Sequence, residues 1–128
     1  MASTNSRQMT TGKSFEYALL VSFEEKLKDK TNLEVIKNSA FDVAKSCFDS
    51  VSSNEKSEYL LSASFAVNFL MDIEPRLSND IGKDDILQLE ILSDHHGKSG
   101  DVRDVLAIRL LQKWEIGVSA KNNHKAVK

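Results

Sequence analysis

Asp104 and Lys121 are the residues whose types and spacing could do chemistry. They lie in GDVRDVLAIRLLQKWEIGVSAK, residues 100–121, which reads as two short strands joined by a tight connection. Side chains alternate between the two faces of a strand. On the second strand Glu115, Gly117, Ser119 and Lys121 share one side, and Ile116, Val118 and Ala120 take the other, apolar side. On the first, Asp104, Leu106 and Ile108 oppose Val105, Ala107 and Arg109. An acid heading one strand can therefore sit beside a lysine closing its neighbour. That is the minimum needed to hold a divalent metal and a water next to a phosphodiester. The metal lowers the pKa of its water and polarises a phosphoryl oxygen, and Mg²⁺ prefers carboxylate and phosphate oxygens. Asp104 is the preferred central ligand because it heads its strand. Asp101, three residues earlier, is the competitor and can instead stabilise the turn. Lys121 would orient the water and offset developing charge, the plainer reading being a solvated lysine at a strand end.

These residues also carry a family resemblance. GDVRDVL followed by EIGVSAKNNHKAVK resembles the catalytic core of HaeIII-type restriction endonucleases, part of the PD-(D/E)xK nuclease superfamily, and GKSFEYALL resembles that family's opening helix. The two blocks are residues 12–20 and 100–128, with only general helical character between them. The resemblance implies a type II restriction endonuclease that uses Mg²⁺ to hydrolyse double-stranded DNA at GGCC in a bacterial cytoplasm. It also implies a metal-associated role for Glu16, which by spacing alone is a first-turn acid tolerated by the helix dipole. One position departs from the superfamily pattern. The acid expected two residues before the lysine is Ser119, which can hold a water or phosphate but is a poor metal ligand. Glu115 shares that face but lies about 20 Å along the strand from Lys121, so Glu16 is the better second carboxylate. The expected catalytic set is thus Asp104, Lys121, Glu16 and Ser119, with Asp104, Glu16 and Asp101 towards the metal. Asn122, Asn123, His124 and Lys125 follow directly and can bond phosphate oxygens, contacts that position DNA without reading its sequence.

Composition sets the frame around this site. A chain of 128 residues is one domain's worth, and its 41% hydrophobic and 28% charged content is that of an ordinary globular protein. The net charge of −2 gives no overall basic signature for nucleic acid. The charge is uneven, however: from residue 109 onward Arg109, Lys113, Lys121, Lys125 and Lys128 face only Glu115, a basic end suited to a polyanion. Cys47 is the single cysteine, so no intrachain disulfide forms, and it reads as a buried core thiol. With three histidines and one cysteine, a structural zinc site is disfavoured. His95 and His96 read as part of a solvated turn. No apolar run approaches the roughly 20 residues of a membrane helix.

The elements that must position the site read as α+β, N-terminal helices packed on a small mixed or antiparallel sheet. Residues 1–12 are expected as a disordered tail and 13–128 as the N-terminal part of a nuclease catalytic domain. Phe15, Leu19, Phe23 and Leu27 recur every four residues, with Leu20 beside them, predicting a helix from about Lys13. Thr31 with Glu34, and Ser52 with Glu55, read as capping boxes opening two further helices. The second of these carries so few polar positions that it should be covered on more than one side, and Pro75 ends it. Residues 86–92 read as a strand with Leu87, Leu89 and Ile91 on one face, completing an antiparallel meander of three strands. Trp114 reads as packing at the last connection.

The family pattern would continue past Lys128 into a further helix, a strand and the base-reading region. The 128 residues alone are therefore expected to be inactive. A palindromic target favours two-fold symmetry, which admits a homodimer. Two other readings stand beside this one: a structure-selective or repair nuclease of the same fold, and a non-catalytic helical interaction module.

Overall fold

The computed structural model describes residues 4–78, 85–92 and 104–118, with side-chain surroundings from Gly12 onward. The order is α1 (Thr4–Leu27), β1 (Asn32–Val35), α2 (Ser39–Ser50), α3 (Ser53–Ile73), a 3₁₀ turn (Pro75–Leu77), β2 (Ile86–Ile91), β3 (Val105–Arg109) and β4 (Trp114–Val118). The strands form one sheet in the order β1-β2-β3-β4. β1 is parallel to β2, and the β2-β3-β4 pairs are antiparallel. The architecture is thus α+β with a mixed sheet, and the antiparallel meander is as expected.

β1 was not expected. Thr31 and Glu34 do not cap a helix: residues 32–35 pair with Ile86, Leu87, Gln88 and Leu89. The supposed capping side chains are engaged elsewhere. The Thr31 hydroxyl accepts from Arg109 Nη1 at 3.0 Å, and Glu34 Oε1 accepts from Gln88 Nε2 at 2.6 Å. The helix instead starts after Asn38, whose Oδ1 accepts from the Phe41 amide at 2.8 Å. A parallel pair needs a long crossover, and α2 with α3 supplies it.

α1 is the central helix. Phe15, Ala18, Leu19, Leu20, Phe23 and Leu27 are all buried, and so are Ser14 and Ser22, so its inner half is enclosed on several sides. It packs on α2 and α3 and lies over β1 and β2. Tyr17 anchors the α2 contact with tilted ring pairs to Phe41 at 5.8 Å and Phe48 at 5.1 Å. α1 also begins earlier than its apolar stripe, so residues 4–12, expected as part of a disordered tail, are helical. The stripe marked only the buried portion, and no proline interrupts the polar residues before it.

The α3 capping box is present, with Ser52 Oγ accepting from the Glu55 amide at 3.2 Å, and the helix stops two residues before Pro75. Its covering differs from expectation. Tyr59, Ala63 and Val67 are buried, while Leu61, Phe65, Phe69 and Ile73 on another side are exposed. Cys47 is half-buried rather than a core thiol.

Candidate active site at one end of the third strand

The sheet presents one face to the helices. Leu87, Leu89 and Ile91 of β2 and Val105, Ala107 and Arg109 of β3 are each no more than 1% exposed. Ile116 and Val118 pack against the same core. Directly paired residues share a face, so the pairs Gln88–Ile108, Glu90–Leu106, Leu106–Gly117 and Ile108–Glu115 define the opposite face. The alternation of β3 assigns Asp104 to that face, together with Leu106, Ile108, Glu115 and Gly117. This is the parity read from the sequence.

Asp104 itself is half-buried at the head of β3. Its backbone is held from both sides: its carbonyl accepts from the Leu92 amide at 2.8 Å, and its amide donates to the Val118 carbonyl at 2.9 Å. The head of β3 is therefore fixed at this end between Leu92 and the last residue of β4. Of the other expected site residues, Asp101, Ser119, Lys121, Asn122, Asn123, His124 and Lys125 lie outside the described residues, as do His95 and His96.

Glu16 is not a solvated first-turn acid. It is 6% exposed in the inner half of α1, with Lys13 Nζ 3.7 Å from its Oε1, and Lys13 is equally enclosed. An acid and a base buried together on one helical turn are uncommon enough to be informative, since charged side chains are rarely buried unless paired. The sequence motif identified Glu16 but gave no sign of its lysine partner.

Glu90 was passed over in the sequence. It lies on the Asp104 face of the adjacent strand, and Asp104 is two residues from its direct partner Leu106. Such diagonal neighbours are about 7–8 Å apart, within reach of long side chains. Asn38 Nδ2 donates to Glu90 Oε2 at 3.4 Å and to the Ile91 carbonyl at 3.2 Å, tying the start of α2 to this end of the sheet. Only strand register, not spacing, could have brought Glu90 to notice.

Arg109 requires a correction. Counted from the sequence it belonged to a basic end available to a polyanion, but it is fully buried. Its guanidinium donates to the Arg76 carbonyl at 2.7 Å, the Leu77 carbonyl at 3.2 Å, the Thr31 hydroxyl at 3.0 Å and Asp85 Oδ2 at 3.2 Å. Gln112 Nε2 donates to the same Asp85 oxygen at 2.9 Å. The alternation that turns Asp104 to the other face buries Arg109 five residues on, and the planar fork of an arginine suits several oxygens at once. Trp114 packs nearby with the Arg76 guanidinium 4.9 Å from its ring centre.

Comparison with known proteins follows this geometry. The family model of the HaeIII restriction endonuclease matches residues 12–128. The chain belongs to the HaeIII restriction endonuclease family. It is 34% identical over 117 residues to the type II restriction enzyme HaeIII of Haemophilus aegyptius, covering 91% of this chain and 36% of that enzyme. It therefore spans about a third of the length of that relative. No solved structure matches the chain. The family's match runs through both the Glu16 helix and the β3–β4 hairpin, the two blocks that carried the resemblance in the sequence.

Proposed function

We propose that this chain carries the catalytic portion of a type II restriction endonuclease, hydrolysing double-stranded DNA phosphodiesters with Mg²⁺ at the Asp104 end of the sheet, at GGCC, in a bacterial cytoplasm. The observation that carries this reading is the placement of Asp104 at a strand head pinned between β2 and β4, inside the stretch the family model covers.

Chain direction supports bringing Glu16 to the same end. α1 leads through a tight turn into β1, with the Thr31 amide donating to the Leu27 carbonyl at 3.0 Å. Its last turn thus sits near the start of β1 and β2, the Arg109 end. Glu16 is eleven residues back, about 16 Å at 1.5 Å per residue. β2 advances about 17 Å over its six residues, so Glu16 comes level with the Asp104 end. It approaches from the helix layer, while Asp104 belongs to the open face, so the two converge around the strand ends rather than through the sheet.

The carboxylate oxygens of Asp104 and Glu16 suit a hard divalent cation, with Asp101 and Glu90 as further oxygen donors on that side. Bound there, the metal would supply a water of lowered pKa and charge relief on the phosphoryl oxygen. Lys13 holds the Glu16 carboxylate in place and compensates its charge. Were the β4 alternation to continue, Ser119 and Lys121 would share the Asp104 face, where Lys121 would orient the attacking water and Ser119 would hold a water or phosphate oxygen. Asn122, Asn123, His124 and Lys125 would bond DNA phosphates beside them. The duplex partner and any homodimer on a palindromic site belong to this proposal.

The test joins this chain to the unmatched section of the Haemophilus aegyptius enzyme and incubates the chimera with plasmid DNA and Mg²⁺. Discrete bands from cutting at GGCC, lost with Asp104→Asn, are expected. Cutting that persists in Asp104→Asn would overturn the site.

A further inference from the structure

α3 carries no charge from Tyr59 to Met71, yet among the described residues only one of its sides is buried. Tyr59, Ala63 and Val67 are buried in the core. Leu61, Phe65, Phe69 and Ile73, spaced by four, are 60%, 67%, 62% and 58% exposed. They make a stripe roughly 18 Å long at 1.5 Å per residue. With each side chain exposing on the order of 100 Å², the stripe offers on the order of 400 Å² of apolar surface. Soluble monomers rarely leave a larger contiguous patch open, and such patches commonly mark an interaction site.

The size of the stripe bears on what covers it. A stable interface takes about 800 Å² per partner, roughly twice what the stripe gives. A second copy laid along α3 would bury too little to hold by this contact alone. A larger occupant is at hand in the family: the match accounts for 36% of the Haemophilus aegyptius enzyme, so nearly two thirds of its length has no counterpart here.

We propose that the stripe of Leu61, Phe65, Phe69 and Ile73 docks the section of a HaeIII-type nuclease chain that lies outside the matched third. α3 is then an interior helix of the assembled enzyme, covered by α1 on one side and by that section on the other. The docking surface of the partner section is apolar and uncharged, because the stripe offers no charge to pair with. This inference rests on family membership and not on the Asp104 site, so either can fail alone.

Thiol labelling tests it. Phe65→Cys, Phe69→Cys and, as a control on exposed α2 surface, Ser46→Cys are made separately in a Cys47→Ser background and reacted with a maleimide dye. In the 128-residue chain all three are expected to label as fast as a free thiol. In the chimera with the unmatched section of the Haemophilus aegyptius enzyme, labelling at 65 and 69 is expected to slow at least tenfold, with no change at 46. Equal rates in chain and chimera overturn the proposal. Slow labelling at 65 in the 128-residue chain, with a dimer mass by sedimentation, also overturns it, because a second copy then covers the stripe. If the chimera does not melt cooperatively, the same section is added in trans and judged by the same rates.

Discussion

The two ends of β3 are built from the same backbone and serve opposite purposes. At one end Arg109 points into the core and gathers oxygens from Thr31, Arg76, Leu77 and Asp85. It joins the turn after α1, the 3₁₀ turn and the start of β2 to a single side chain. At the other end Asp104 is half-buried, and its backbone is tied to its neighbours through Leu92 and Val118. The first end holds charge where water is excluded, so its groups pair with one another, although Asp85 Oδ1 has no hydrogen-bond partner among the described residues. The second fixes the chain through its backbone and carries a half-buried carboxylate that strand alternation assigns to the face away from the helices. Five residues of alternation separate a buried structural charge from the carboxylate proposed to do the chemistry.

The largest effect should come from the chemical end. Asp104→Asn in a cleavage-competent chimera should lower the cutting rate by on the order of 10²–10³-fold. Urea unfolding of the same variant should stay within about 0.5 kcal/mol of the parent. A variant that unfolds early would mean that Asp104, too, is structural.

Arg109 should behave in the opposite way. Arg109→Ala strands Asp85 in the core and should cost about 3–5 kcal/mol in urea unfolding. Arg109→Lys should recover little, because an ammonium cannot span the same oxygens. A single substitution that leaves the unfolding midpoint in place would remove the contrast between the two ends.

Asn38 sharpens the comparison, because it serves the fold at the Asp104 end. Its Oδ1 caps α2 and its Nδ2 reaches the Ile91 carbonyl. Asn38→Ala should cost about 1 kcal/mol by loss of the cap. Asn38→Asp, which keeps the cap but loses the donor, should cost less in urea unfolding.

The smallest effect lies at the Arg109 end. Hydrogen bonds from Arg76 hold the Glu74 carboxyl below its ordinary value, and the pairing holds Arg76 above its own. A depressed carboxylate contributes stability above its unfolded pKa and loses it as pH falls through the lowered folded value. Because Arg76 lies over Trp114, the only tryptophan, that acid step should appear in tryptophan fluorescence. Glu74→Gln should remove the step and lower the unfolding midpoint at neutral pH only slightly, the pair lying at the surface.

Much of this was legible in the sequence because it rests on periodicity. The period-four stripe from Phe15 to Leu27 gave the buried face of α1, and the period-two alternation gave both faces of β3 and β4. The failures share a cause: each is a local pattern overruled by a distant partner. Thr31 and Glu34 looked like a capping box because their engagement with Arg109 and Gln88 depends on residues more than fifty positions away. Arg109 looked solvent-bound because a buried arginine is identifiable only from the oxygens that surround it. α3 was read as covered on more than one side, and the composition was right about its apolarity; one of its sides simply meets no partner among the described residues. At the proposed site, Asp104 and Glu16 were named through the family motif, whereas Glu90 and Lys13 become visible only through strand register and helix burial.

Manganese titration of the 128-residue chain, followed by amide NMR, tests the division between the two ends most directly. Mn²⁺ occupies oxygen sites like those of Mg²⁺ and broadens nearby amides. The account predicts broadening centred on Leu92, Asp104, Val105 and Val118, extending to Glu16 and abolished by Asp104→Asn, while Thr31, Asp85 and Arg109 stay sharp. Broadening centred on Asp85 and Arg109, or none that depends on Asp104, would contradict it.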